Sequence, residues 1–176
     1  MKRTFGILLA TVFLGCGPMG NTLGLEGIYE GTMKVEGSGT FTDHTGASPT
    51  VYDSEYDNSS QTQMTIEPGY NSDAVLPGSN CVIALKAESD KLVLVESMTC
   101  TEVTEVTTTG AGNTSTTKET KTQIYNEVEI TKNGDNKMKA TMKASSTNLK
   151  EKDGEKQTET QLSLTLSFDG TRIANY

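Results

Sequence analysis

Side chains capable of acid–base or metal chemistry are concentrated between residues 43 and 57. This segment holds the only histidine and four carboxylates, namely Asp43, His44, Asp53, Glu55 and Asp57. Alternating carboxylates are compatible with a calcium loop, but Asn58 stands where that loop needs glycine and Met64 where it needs glutamate. A histidine beside an aspartate could serve acid–base catalysis, yet the chain has no second histidine and no Gly-x-Ser-x-Gly motif. We therefore expect a solvated acidic loop, with no catalytic residue, metal ion or cofactor.

Two of the three cysteines bracket a predicted β-hairpin. The segment CVIALKAESDKLVLVESMTC runs from Cys81 to Cys100, with its turn near Asp90. Folding the chain there brings the cysteines almost opposite each other. Opposed residues of antiparallel strands lie ~4.5–5.5 Å apart at Cα, which suits a disulfide. Because an exported chain meets an oxidising compartment, we expect a structural Cys81–Cys100 bridge.

The third cysteine ends a segment with the features of a secretion signal. Lys2 and Arg3 supply positive charge, and an apolar run covers residues 5–14. The small residue Gly15 then precedes Cys16. A bilayer-spanning helix needs ~20 apolar residues, so this run is too short to be a permanent anchor.

The end of the run resembles the lipobox of bacterial lipoproteins, in which an apolar residue, a small residue and Gly or Ala precede an obligatory cysteine. The resemblance covers Phe13, Leu14, Gly15 and Cys16. It implies cleavage before Cys16, a diacylglyceryl thioether on its sulfur and an acyl chain such as palmitate on its new amino group. Glycine after Cys16 resembles lipoproteins sent to the outer membrane. An ordinary secretion signal with an incidental cysteine is the alternative.

This resemblance implies three regions in the chain: a signal peptide over residues 1–15, the lipidated cysteine with a flexible tether over 16–24, and one domain over 25–176. The tether is rich in Gly, Pro and Asn, and its reach is at most about 30 Å. We therefore expect the domain to lie close to the membrane surface of a bacterial envelope, with the lipid bilayer as its first partner.

Charge excludes one class of partner. Removing Lys2 and Arg3 leaves 13 basic and 23 acidic residues, a net charge of −10. Such a charge repels phosphate groups, so nucleic acid is not an expected partner.

Alternation of apolar and polar residues predicts strands through most of the domain. In TQLSLTLSFDG the inward residues are Leu162, Leu164, Leu166 and Phe168. In KMKATMKASS they are Met138, Ala140, Met142 and Ala144. In TQIYNEVEIT the shared face holds Ile124, Val128 and Ile130. The turn KNGDN between the last two runs predicts a loop of three or five residues that pairs Ile130 with Met138.

These patterns predict an all-β domain of about eight antiparallel strands. Consecutive hairpins with one apolar face each close into an up-and-down barrel or fold into a sandwich. We favour the barrel, and the sandwich is the alternative. The opening GLEGIYEGTMKVEG resembles the first strand of lipocalin-like barrels, in which a glycine and then an aromatic residue, here Tyr29, begin the sheet.

Two functions fit this expectation, and neither is enzymatic. In the first, the barrel binds an apolar or amphipathic small molecule against inward side chains. The candidate ligand-lining residues are Tyr29, Met33, Met64, Met98, Met138 and Met142. Methionine forms adaptable apolar walls, although it also fills cores. In the second, the interior is packed, and polar loops with the threonine-rich arm over residues 101–122 contact proteins of the envelope or its surroundings.

Overall fold

The computed structural model describes residues 23–68, 71–76, 81–110 and 113–175. The predicted signal segment and Cys16 lie outside the described residues. The strands are β1 (Gly27–Asp43), β2 (Thr50–Ile66), β3 (Asn71–Val75), β4 (Val82–Glu88), β5 (Lys91–Leu94), β6 (Met98–Gly110), β7 (Asn113–Lys132), β8 (Lys137–Lys152) and β9 (Glu155–Ala174). Threonine, valine and isoleucine recur in these segments, and their branched side chains favour the extended backbone.

All the strands pair antiparallel in one sheet with the order β5-β4-β3-β2-β1-β9-β8-β7-β6, and β5 also pairs with β7. Strands β5 and β6 follow each other along β7, because β5 pairs with its residues 129–131 and β6 with its residues 113–125. The hydrogen bonds therefore run round a closed ring. The predicted all-β antiparallel meander is confirmed.

Side chains fill the closed end of this ring. The largest fully buried residues of the described chain are Tyr29, Phe168, Leu25, Met64, Ile66, Ile83, Leu85, Leu92, Ile130, Met138, Met142 and Val128. The alternation predicted on β8 is confirmed, since its residues 138, 140, 142 and 144 are buried while the intervening ones are exposed. Large side chains from β9 lie opposite small ones from β8, as where Phe168 pairs with Ala140.

Above the core the sheet is open. Strand β1 pairs with β2 over 17 positions, whereas β2 pairs with β3 only at Thr65 and Ile66. Farther from the core than this β2–β3 pairing, the sheet has the strand order β6-β7-β8-β9-β1-β2. At this height the described residues include no strand between β2 and β6. This six-stranded part is called the extension below.

A β-bulge makes one predicted face wrong. The pairing of β7 with β8 shifts between Tyr125 and Glu127, so Asn126 is an extra residue. An extra residue reverses the alternation of side chains on either side of it. Tyr125 is therefore buried and Ile124 is exposed, although the alternation predicted Ile124 inside.

Two other local predictions need correction. Ile130 pairs with Ala140 rather than Met138, because the chain takes the longer, five-residue loop between the paired residues Lys132 and Met138. The segment after residue 50 is not a loop but strand β2, whose exposed positions include Asp53, Glu55 and Asp57.

The Cys81–Cys100 disulfide is present, with a Cα–Cα distance of 5.8 Å, but it does not lie within one hairpin. Strands β4 and β5 form the predicted hairpin, with its turn at Ser89 and Asp90. Strand β5 ends at Leu94, and Cys100 then lies on β6 opposite Gln123 of β7. The bridge therefore joins the start of β4 to β6, at the level where the ring ends and the extension begins.

Candidate functional site

A cleft of about 1160 Å³ lies on the inner face of the extension, directly above the core. Every strand of the extension contributes side chains to it, and the start of β4 contributes Cys81 and Val82. The cleft exists because β3, β4 and β5 are short and leave the sheet incomplete at this level.

The floor of the cleft is apolar. It is formed by Val35 from β1, Met98 from β6, and Leu162 and Leu164 from β9, beside the Cys81–Cys100 bridge. Val35, Met98 and Leu162 are only partly buried and pack on the core below. They are thus the top layer of the core, and an apolar part of a ligand would cover them.

The walls of the cleft are mostly polar. Their residues are Ser54, Thr99, Thr101, Glu102, Lys121, Gln123, Ser146, Asn148 and Thr160. On β8 the inward face carries Met142 and Ala144 and then changes to Ser146 and Asn148. This change from apolar to polar side chains marks the height at which the core ends. It is a sequence signal for the cleft wall that the prediction of ligand-lining residues did not include.

Asn148 carries an unused acceptor in this wall. Its Nδ2 donates to Oε1 of Glu119 at 2.9 Å, and the same oxygen lies 3.7 Å from Nζ of Lys121. Oδ1 of Asn148 is buried without a hydrogen-bond partner among the described residues. A buried acceptor without a partner costs free energy, so the Asn148 side chain would be stabilised if it turned this oxygen toward a donor in the cleft.

A second polar contact fixes Gln123. The Tyr125 hydroxyl donates to its Oε1 at 3.1 Å. Burial raises the pKa of Tyr125 above its ordinary value, so this phenol stays protonated at neutral pH and remains a donor. The contact holds the Gln123 side chain in place beside the floor.

Aromatic rings line the β1–β2 side of the opening. Tyr56 borders the cleft and is 42% exposed. Higher on the same face, Phe41 and Tyr52 pair across the strands with ring centroids 6.2 Å apart. The cleft therefore offers an apolar floor, hydrogen-bonding walls and an aromatic rim to one bound molecule.

Of the ligand-lining residues predicted from the sequence, only Met98 borders the cleft. The others belong to the packed core, namely Tyr29, Met33, Met64, Met138 and Met142. Tyr29 lies at the opposite end, where its hydroxyl donates to the carbonyl of Leu25 at 3.0 Å and accepts from Nε of Arg172 at 3.0 Å. Arg172 also donates to the carbonyl of Gly24, so this cluster closes the base.

The histidine and the neighbouring acid groups are at the far tip of the β1–β2 hairpin. Asp43 accepts hydrogen bonds from the amide and hydroxyl of Thr45, which lower the pKa of its carboxyl. Nε2 of His44 lies 3.8 Å from Oε2 of Glu159. In the described part of the chain no group of three or more His, Cys, Asp or Glu side chains is arranged to hold a metal ion.

Comparison with known proteins gives no further guide to the site. No protein-family model, curated protein or solved structure matches this chain. Within the described ranges, no helix has the length and apolar character needed to cross a bilayer.

Proposed function

We propose that this protein is a non-enzymatic lipoprotein of a bacterial envelope, attached to the membrane through acylated Cys16, that binds an amphipathic small molecule in the cleft. The support for attachment is the sequence around Cys16. The support for binding is the cleft itself, whose volume of about 1160 Å³ is slightly above the roughly 300–1,000 Å³ of ordinary ligand pockets.

One observation carries the choice of an amphipathic ligand: the cleft is apolar at its floor and polar along its walls. An apolar part of the ligand would cover Val35, Met98 and Leu162, and burial contributes ~25 cal/mol for each Å² of apolar surface. A polar part would lie against the hydroxyl and amide groups of the walls, such as those of Ser146 and Gln123. A wholly apolar ligand would remove water from these groups without replacing its hydrogen bonds.

Filling the cleft tests the binding proposal. Leu162→Trp places a large ring over the floor, and Ser163→Trp places the same ring on the opposite, exposed face of β9. Native mass spectrometry after detergent extraction should show a bound small molecule on the wild-type chain and on Ser163→Trp. Leu162→Trp should lose it. A wild-type chain with no bound molecule, or equal occupancy in both variants, would contradict the proposal.

Intact mass tests the attachment separately. The mature chain should begin at Cys16 and carry the mass of two or three acyl chains, with two hydrogens fewer for the Cys81–Cys100 bridge. Cys16→Ser should lose the acyl mass and leave the membrane fraction. A mature chain that retains residues 1–15, or an unmodified Cys16, would contradict attachment while leaving ligand binding to be decided by the cleft variants.

A second function, contact with other envelope proteins, is favoured by a different observation. Every described side chain from Thr101 to Thr109 is exposed, and Val103 and Val106 are more than half exposed within that run. Deletion of residues 104–120 should remove partner proteins from a crosslinking experiment in intact cells. Retention of every partner would contradict this function.

A further inference from the structure

The long strand β6 has an open edge. It pairs with β7 over 13 positions without a register shift, and from Thr101 onward the described residues place no strand on its other side. At Cys100 the start of β4 lies beside β6, because the disulfide holds Cys81 with its Cα atom 5.8 Å from that of Cys100. The open edge therefore begins at Thr101 and runs to Thr109.

The side-chain contacts show which backbone groups are free to pair. Hydroxyl pairs face each other at 3.3–3.4 Å between Thr101 and Thr122, Thr107 and Thr116, and Thr109 and Thr114. Close side chains mark the non-hydrogen-bonded pairs of an antiparallel ladder. The odd-numbered residues of β6 therefore turn their N–H and C=O groups away from β7, toward the open edge.

This edge lacks the usual devices against pairing. Lysine, proline and bulges commonly protect edge strands, and β6 contains none of them. Its two acids also lie opposite lysines in the ladder, because Glu102 is in register with Lys121 and Glu105 with Lys118 on β7. The β6–β7 hairpin over residues 98–125, with three acids and two lysines, has a net charge of only −1.

The other open edge, on β2, is protected by charge. The β1–β2 hairpin over residues 27–66 has six acids and one lysine, a net charge of −5. Asp57 even lies opposite Glu36 across that ladder. Two β2 edges would repel each other, whereas two β6 edges would not.

We propose that β6 is a homotypic interface, at which a second copy of this chain adds its own β6 antiparallel to the first about a two-fold axis. Directly opposed residues in an antiparallel pair lie on the same face of the sheet, so a two-fold axis perpendicular to the sheet pairs residues whose numbers have an even sum. Glu105 is the middle of the free edge from Thr101 to Thr109. A register centred on it would place the Glu105 side chains of the two copies opposite each other.

Two registers avoid this repulsion and still join seven residues in each copy. One centres on Thr104, where Glu102 faces Val106 and Glu105 faces Val103. The other centres on Val106, where Glu105 faces Thr107. Both cover the exposed side chains of Val103 and Val106 and use the free backbone groups of the odd-numbered residues. The second copy is thus favoured because the two edges carry little net charge and oppose no like charges directly, independently of what the cleft binds.

Cysteine crosslinking tests the interface in the full-length lipoprotein. A residue on the axis meets itself in a non-hydrogen-bonded pair, with a Cα separation of ~4.5 Å that suits a disulfide. Under mild oxidation, Thr104→Cys or Val106→Cys should form a covalent dimer. Thr101→Cys is the matched control on the same strand, because its equivalent positions would lie at least six residues apart, about 20 Å.

Val103→Pro removes an N–H that faces the open edge and leaves the ladder to β7 intact. It should convert the wild-type dimer, measured by native mass spectrometry, to monomer, while an unchanged circular dichroism spectrum shows that the fold is retained. A monomeric wild-type chain, or a Thr101→Cys dimer formed as fast as the Thr104→Cys and Val106→Cys dimers, would overturn the proposal. So would a different protein paired with β6 in place of the second copy.

Discussion

Arg172 is the residue that closes the base of the ring. Its guanidinium donates to the Tyr29 hydroxyl at 2.6 Å and lies 5.3 Å from the centre of the Tyr29 ring. Arg172→Met should lower the free energy of unfolding by about 2 kcal/mol, because a hydrogen bond to a charged group contributes ~1.5–3 kcal/mol. Urea denaturation measures the change.

The matched control for Arg172 is a charged residue at the surface. Lys139 lies 3.8 Å from Asp169, and both side chains are more than half exposed. Exposed pairs contribute ~0–1 kcal/mol because water screens them, so Lys139→Met should change the unfolding free energy by less than Arg172→Met does. Equal changes would show that Arg172 has no special role at the base.

Asp153 connects the tips of two neighbouring hairpins, and its contact should depend on pH. Its Oδ1 accepts from the Thr116 amide at 2.7 Å and its Oδ2 from the Ser115 hydroxyl at 3.0 Å. These hydrogen bonds lower the pKa of Asp153 below the ordinary 3.8. A lowered pKa means that the stabilising contact is complete above pH 3.8 and is lost as the pH falls through the lowered pKa.

The Thr116 amide resonance should therefore titrate with a midpoint below pH 3.8 in an NMR experiment. Asp153→Asn is the matched variant, because asparagine also tolerates the positive φ of 51° at this turn position. The variant should abolish the titration. A midpoint at or above pH 3.8 in the wild-type protein would rule out the contact.

Among the structural elements, the disulfide joins two strands that do not pair with each other. It ties the start of β4 to β6 with a sequence separation of 19. Replacing both Cys81 and Cys100 by alanine should lower the free energy of unfolding by about 3 kcal/mol in the chain-entropy treatment. Hydrogen exchange should show faster opening of β6 than of β8. An unchanged unfolding free energy would contradict this prediction.

The bulge at Asn126 sets which residues of β7 face inward. Deleting Asn126 should leave a regular ladder in which Tyr125 stays opposite Ala144 and Glu127 stays opposite Lys143, so Tyr125 still faces inward. Burial should therefore keep the pKa of the Tyr125 phenol raised. Ultraviolet titration of tyrosine ionisation measures this, and Tyr125→Phe identifies its contribution. A pKa that returns to about 10 in the deletion variant would show that the bulge itself keeps Tyr125 buried.

The same elements show how much the sequence could predict. Strands β8 and β9 keep one uninterrupted alternation, and their faces follow from period two alone. The bulge in β7 has no local signal in TQIYNEVEIT, because an extra residue is defined only against its partner strand. The cleft and the open edge of β6 were not predictable for a related reason: both depend on where β3, β4 and β5 stop relative to distant strands.

At the scale of the whole molecule, the two ends of the sheet are different. The N-terminal end of the domain is fixed at the base, where Leu25 is buried and Arg172 holds the carbonyl of Gly24. The β7–β8 turn lies at the same end, because the Arg172 amide donates to the carbonyl of Asn136 at 2.7 Å. The β1–β2 turn lies at the far end of β1, whose 17 residues extend over about 55 Å.

With the proposed attachment through acylated Cys16, a short tether would hold the base near the bilayer and point the cleft and the β6 edge away from it. Energy transfer tests this orientation in vesicles that contain a lipid-borne acceptor dye. A donor on Asp135→Cys in the β7–β8 turn should transfer strongly, and a donor on Gly46→Cys in the β1–β2 turn should transfer weakly. Equal transfer from both positions would mean that the domain lies flat on the membrane, in which case a second copy could reach β6 only from the side.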